Sequence, residues 1–434
     1  MQEQTIAPLR DAAQPAYQLP ACLTAVDGGG VVSAKGFSAA GIHAGFRADP
    51  NRLDFALVVA DEPCAAAATF TQNVFCAAPV LVSRSHLDDV SYGTARAFMV
   101  NSGIANAATG PKGLETARES ARLAADAVGC TENEVLVAST GVIGQHLQME
   151  PFRQGLPQAV EALSREGGHN AARAIMTTDT QPKEYAVSFS GDGAGFDGCT
   201  FTVGGMAKGA GMIMPNMATM ISAITTDAPV AAADLHSILV QAVNASFNKI
   251  TVDSDTSTND TCIIMASGAA APGGQLFQPG STAFQRLAQA VAAVCTTLAR
   301  KMAADGEGAT RLVTVNVTGA ASSEDAEAAA RTIANSPLVK TAIYGHDANW
   351  GRIAAAAGRS GAAFRQEQVA IDIMGIPVCR EGLTVAFSEE EALKRFEDPE
   401  IVLDIDLGAG VSTCTMWTCD FSHEYVTING DYRT

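Results

Sequence analysis

GLETARESARLAADAVGCTENEVLVAS, residues 113–139, sets a helix and a strand back to back. Leu114, Ala117, Ala121, Ala124, Ala125 and Val128 recur at three- and four-residue spacing, the period of an amphipathic helix, and Gly129 is a good stop. VLVAS at 135–139 is a short apolar run without polar alternation, which reads as a buried strand.

The same alternation extends both ways. Helical spacing predicts further helices near 149–163, 230–248, 283–304, 322–334 and 349–357. Short apolar runs predict strands at 185–190, 200–204, 219–225, 262–266, 312–318, 340–344, 369–374 and 401–407. Many strands in mixed order with helices imply an α/β sandwich whose sheets are enclosed by helices. A second strand–helix series starts near residue 310 and carries an acidic stretch, SEEEALKRFEDPE at 388–400. It predicts a smaller α/β C-terminal subdomain from about residue 311 to 434.

Composition narrows the function classes. A chain of 434 residues easily buries a large core. Its net charge of −18 argues against nucleic acid and anionic membranes as partners, because both require basic surfaces. One or two local Lys or Arg still suffice for a small carboxylate. The ten cysteines form no CxxC pair and read as buried reduced thiols of a cytoplasmic protein. No HExxH or paired-ligand spacing appears, so no metal site is expected. The first twenty residues hold Glu3, Arg10 and Asp11 without an apolar core, unlike a secretory signal. No run reaches the roughly 18 apolar residues of a membrane helix.

Several motifs fail on inspection. Gly193, Gly195 and Gly198 spell GxGxxG, but between two strand patterns, where a hairpin loop is the better reading. Lys208 in GGMAKGAG lacks phosphate-loop spacing. DSDTSTND at 253–260 has Thr258 where a calcium loop needs Gly and Ile264 where it needs Glu. No GxSxG elbow is present.

What survives is the glycine-rich run GGMAKGAGMIMPNMATMISAITTDA at 204–228, which feeds a strand beginning near Thr219. By pattern alone Thr219 is only a β-branched residue entering that strand. The run resembles the self-cleavage region of the ornithine acetyltransferases of arginine biosynthesis: Lys208-Gly209-Ala210-Gly211-Met212, then Pro215, then Ala218-Thr219-Met220, then Thr225-Thr226-Asp227-Ala228. The resemblance runs through KGFSAAGI at 35–42, NSGIANAATG at 101–110 and STGVIG at 139–144. It continues through IMTTDT with Pro182-Lys183, DSDTSTNDT at 253–261, DGEGATR at 305–311, DANWGRI at 347–353 and SHEYVTIN at 422–429.

The resemblance implies a layered αββα sandwich of the self-cleaving N-terminal-nucleophile type. It implies cleavage between Ala218 and Thr219, giving an alpha fragment 1–218 and a beta fragment 219–434, assembled as two copies of each. The Thr219 hydroxyl would attack the Ala218 carbonyl, and water would release the ester. The freed threonine amine, with a reference pKa of about 7.7–8.0, would then serve its own hydroxyl as base. By the same resemblance Thr140 and Gly141 form the oxyanion hole, where pattern alone reads a turn after a strand. Thr177, Lys208, Thr219, Glu307, Asn429 and Thr434 are the implied substrate contacts, with Lys208 suited to a carboxylate and Glu307 to an ammonium. Pattern alone reads Lys208 and Glu307 as solvated surface charges.

The implied activity is acetyl transfer from N2-acetylornithine to glutamate without a metal or organic cofactor. Acetyl-coenzyme A stays open as a second donor. Two rivals remain: an N-terminal-nucleophile amidohydrolase or aminopeptidase, in which water takes the acyl group, and a non-enzymatic α/β binding protein, which would stay uncut.

Overall fold

The structure, a computed structural model, describes residues 7, 9, 17–214, 220–271 and 273–431. It divides into two compact units. Among the described residues the larger spans 19–248 and 255–302, and the smaller takes those up to 18, 249–254 and 303–431.

Nine strands form the sheet of the larger unit: β1 (Thr24–Ala25), β2 (Phe37–Ile42), β3 (Phe55–Phe70), β4 (Tyr92–Ile104), β5 (Val135–Val142), β6 (Lys183–Ser190), β7 (Thr200–Lys208), β8 (Ile221–Thr226) and β9 (Thr261–Ala266). Their order is β1-β6-β7-β8-β9-β3-β4-β5, with β2 pairing β3 off this path. The sixteen-residue β3 serves two neighbours in turn. Its first half, Phe55–Ala60, pairs with β2, and its second, Ala65–Phe70, pairs with β9. A register shift between Val59 and Cys64 separates the halves, as a bulge bends a strand.

The bend lays the two halves of the sheet face to face. Val58, Val100 and Leu136 from one half share a single buried cluster with Met206, Ile221, Ile263 and Met265 from the other. Outside β3–β5, alternate residues Leu57, Met99 and Val137 pack on helices Gly110–Val128 and Glu150–Glu161 through Ala121, Ala125, Phe152 and Leu156. On β7, a side chain at Gly205 would press on Val294 and Leu298 of helix Thr282–Ala304. The unit is thus an αββα sandwich.

The smaller unit has six strands: β10 (Leu312–Ala320), β11 (Ala370–Ile373), β12 (Ile376–Arg380), β13 (Leu383–Thr384), β14 (Glu400–Asp406) and β15 (Ser412–Cys419), ordered β13-β12-β11-β14-β10-β15. Val315, Val317, Ile371, Leu403 and Met416 form its core with Ala326, Ala330 and Ile333 of helix Ser323–Ala334.

One expected strand is a helix. Residues 340–344, read as β from the run KTAIY, belong to helix Pro337–Tyr344. Ser336 caps it by accepting from Val339 N, and Pro337 supplies a preset first turn. Val339 and Ile343, four apart, bury one face, so local capping outweighs β-branched propensity. The GxGxxG segment is the loop of the β6–β7 hairpin, closed by Gly191 N to Cys199 O and by the carboxylates of Asp192 and Asp197.

Six of the ten cysteines are buried. Desolvation pushes the Cys64 and Cys262 thiols up to about 12, so neither is a nucleophile at neutral pH. Among the described residues no cluster could hold a metal, and no helix is long and apolar enough to cross a membrane.

Candidate active site

The site residues of the larger unit gather where strands end. β4 and β5 run parallel in the register Ser102↔Thr140 and Gly103↔Gly141, and stop at Ile104 and Val142. Gly141 has φ +128, and a Cβ there would lie 2.2 Å from the carbonyl carbon of Gly103. Only glycine lets the two strand ends approach this closely. A short polar network fixes the strand end. Asn259 Nδ2 donates to Ala105 O at 2.6 Å and to Ser139 O at 2.8 Å, so it clamps the peptide just before Thr140. Ser139 Oγ donates to Asn101 Oδ1 at 2.6 Å, and Asn101 Nδ2 donates to Ile104 O at 3.0 Å.

Lys208 closes β7, and its Nζ donates to Thr140 Oγ1 at 3.4 Å. Both residues are buried. With the hydroxyl oxygen accepting from the ammonium, the Thr140 proton is left to point at a third group. Across the β7–β8 ladder Lys208 faces Ile221, and Met220 O accepts from Thr261 N at 2.9 Å. Thr219, Ala218 and Thr434 lie outside the described residues.

Beneath Lys208 sits a buried carboxylate. Asp179 accepts from Lys183 Nζ at 2.6 Å, Gly209 N at 2.7 Å and Thr177 N at 2.9 Å. Burial alone would raise its pKa. The ammonium charges of Lys183 and Lys208, with the hydrogen bonds from Lys183 and Thr177 N, outweigh it and hold the carboxyl well below the usual range. Thr177 O in turn accepts from Arg52 Nη2 at 2.8 Å. Thr177, Lys208 and Thr140 are therefore joined through two side chains, Asp179 and Lys208 itself.

In the smaller unit Glu307 and Asn429 meet directly, Asn429 Nδ2 donating to Glu307 Oε2 at 2.8 Å. The loop bearing Glu307 packs tightly on helix His423–Asp431. A Cβ at Gly308, where φ is +71, would lie 2.5 Å from Tyr425 N. Ser422 Oγ donates to Gly308 O on the same loop. Lys208 and Glu307 are each only 8% exposed, so neither is the solvated charge that pattern alone suggests.

Asp179, Lys183 and Asn259 carry no role in the sequence reading, although each falls in a quoted motif. A buried Asp and Lys four residues apart look, in sequence, like any solvated pair. The donor Gly209 N and the carbonyls that Asn259 holds come from segments distant along the chain.

The sequence profile of the ArgJ family matches residues 38–434. Among curated proteins, the arginine biosynthesis bifunctional protein ArgJ of Symbiobacterium thermophilum is 47% identical over 407 residues, covering 94% of this chain and 99% of its own. Its namesake from Chlorobaculum tepidum is 47% identical over 400 residues, covering 92% and 96%. Among solved structures, the ornithine acetyltransferase of Mycobacterium tuberculosis complexed with ornithine is 40% identical with a TM-score of 0.41, covering 45% of this chain and 98% of that one.

Proposed function

The chain belongs to the ArgJ family, and on that premise we propose that Thr219 carries an acetyl group between two amino acids across the Lys208–Thr140 strand ends. The protein is a glutamate N-acetyltransferase of arginine biosynthesis: it moves the acetyl group of N2-acetylornithine to glutamate and releases ornithine and N-acetylglutamate.

The observation that carries the site is the contact between Lys208 and Thr140, together with the register that sets Lys208 opposite Ile221. Two peptide units, at most about 7 Å, separate Ile221 from Thr219. In this reading the Thr219 hydroxyl attacks the acetyl carbonyl while the threonine amine takes its proton. The developing oxyanion accepts from Thr140 Oγ1–H and Gly141 N–H. Collapse returns the proton to the departing amine of ornithine. The glutamate amine then attacks the acetyl ester by the same route and frees the hydroxyl.

Thr177 and Lys208 serve as contacts to the amino-acid head, with Lys208 facing its α-carboxylate. Glu307, held by Asn429, receives the side-chain ammonium of ornithine, and Thr434 completes the set. The nucleophile arises by cleavage at Ala218-Thr219, and the fragments assemble as two alpha and two beta chains. No metal or organic cofactor enters the scheme. We place the enzyme in the cytoplasm, where its unpaired cysteines stay reduced. Relatives carry the name bifunctional protein, and we propose acetyl-coenzyme A as a second donor.

One assay tests the reading. Glutamate is offered with N-acetylornithine or with acetyl-coenzyme A, and the products are separated. N-acetylglutamate is expected from N-acetylornithine, in step with ornithine. Free acetate with no acetylated glutamate would instead identify a hydrolase.

A further inference from the structure

We propose that Asp179 is a positioning residue for acetyl transfer: its carboxylate ties the Lys208–Gly209 corner and Thr177 to one fixed point beside the Thr140 strand end. The proposal rests on the reading above, in which Thr140 donates to the reacting carbonyl and Lys208 faces the α-carboxylate.

Three donors converge on this carboxylate from different places. Thr177 N comes from its own loop, Lys183 Nζ from the start of β6, and Gly209 N from just past the end of β7. Gly209 has φ +152, so the chain after Lys208 turns at a residue with little conformational restraint of its own. The Asp179 contact supplies that restraint. Lys208 is the neighbouring residue, and its ammonium reaches Thr140 from this corner.

Charge explains the second lysine. A carboxylate facing Lys208 alone would form a neutral pair and draw the ammonium away from Thr140. Lys183, fully buried, donates to the Asp179 carboxylate and offsets its charge. With Lys183 on the Asp179 carboxylate, the Lys208 ammonium reaches Thr140. Burying an unpaired ion is costly, so Lys183 and Asp179 depend on each other for stability. The tie between Asp179 and the Lys208–Gly209 corner, through Gly209 N, does not involve Lys183. These two dependences can be separated.

The experiment compares the wild-type protein with Asp179→Asn and with the double variant Asp179→Asn/Lys183→Met. For each form, Tm is measured, along with kcat and KM for N-acetylornithine with glutamate, per cleaved chain. Asp179→Asn takes the carboxylate partner from the buried Lys183 ammonium, and both Tm and kcat should fall. In the double variant Tm should recover, because the stranded charge is gone. Its kcat should stay roughly 10²-fold low, the cost of misplacing a group by about an ångström, with a smaller change in KM. A merely structural carboxylate predicts the reverse: kcat returns with Tm. Recovery of kcat in the double variant, or undiminished kcat in Asp179→Asn, overturns the positioning role and leaves the acetyltransferase reading intact. Absent transfer by the wild-type protein overturns both.

Discussion

Thr219→Ala is expected to leave one uncut chain of 434 residues whose acetyl transfer is lowered roughly 10⁴–10⁶-fold. The size of the effect follows from the double use of one residue. In the proposed scheme alanine removes the hydroxyl that attacks the Ala218 carbonyl, so no new amino terminus would form. In the same scheme it also removes the hydroxyl that accepts the acetyl group. Wild-type protein on a denaturing gel should show two bands of nearly equal length, 218 and 216 residues, the second beginning Thr-Met-Ile. Thr219→Ser keeps a hydroxyl and should still be cut. A Thr219→Ala protein that is cut normally would remove Thr219 from the processing step.

The next largest effect is expected at Thr140. Thr140→Ala should lower kcat roughly 10²–10³-fold, the usual loss for one oxyanion-hole donor. KM should change less, because in the proposed mechanism the hydroxyl acts on charge that appears only in the transition state. The fold should persist. One hydroxyl at a strand end contributes about 1 kcal/mol, while the β4–β5 register and the Asn259 clamp on Ser139 O remain. Self-cleavage should slow as well, since it passes through a similar tetrahedral centre. Steady-state kinetics on the cleaved fraction gives the answer, and unchanged kcat there would exclude Thr140 from the mechanism.

The elements legible in the sequence were those with strong local patterns. The helix Gly110–Val128 and strand β5 appear close to their predicted limits because apolar spacing and Gly129 define them without outside help. Residues 340–344 misled because an apolar β-branched run suits either element, and the Ser336 cap decided it. The longest strand, β3, was not legible. Its alanines favour no strand, and Asp61, Glu62 and Pro63 interrupt it midway, so only its three neighbours hold it extended.

The site divides the same way. Thr140, Gly141, Thr177, Lys208 and Glu307 could be named from ordered motifs, but the burial of Thr140, Lys208 and Glu307 could not. The Asp179 carboxylate collects donors from residues four and thirty positions along the chain, and Asn259 clamps carbonyls 120 and 154 residues away. No local window contains Gly209 beside Asp179, or Ala105 and Ser139 beside Asn259.

The central claim is that Thr219 itself holds the acetyl group between the half-reactions, and mass spectrometry of the beta fragment tests it most directly. Cleaved enzyme is mixed with N-acetylornithine alone, quenched in acid, and the 219–434 fragment is weighed. The account predicts a gain of one acetyl group, mapped to the amino-terminal threonine, that disappears when glutamate is added and reappears as N-acetylglutamate. A fragment that stays at its unmodified mass while the enzyme turns over both substrates would mean direct transfer from donor to acceptor, and would contradict it.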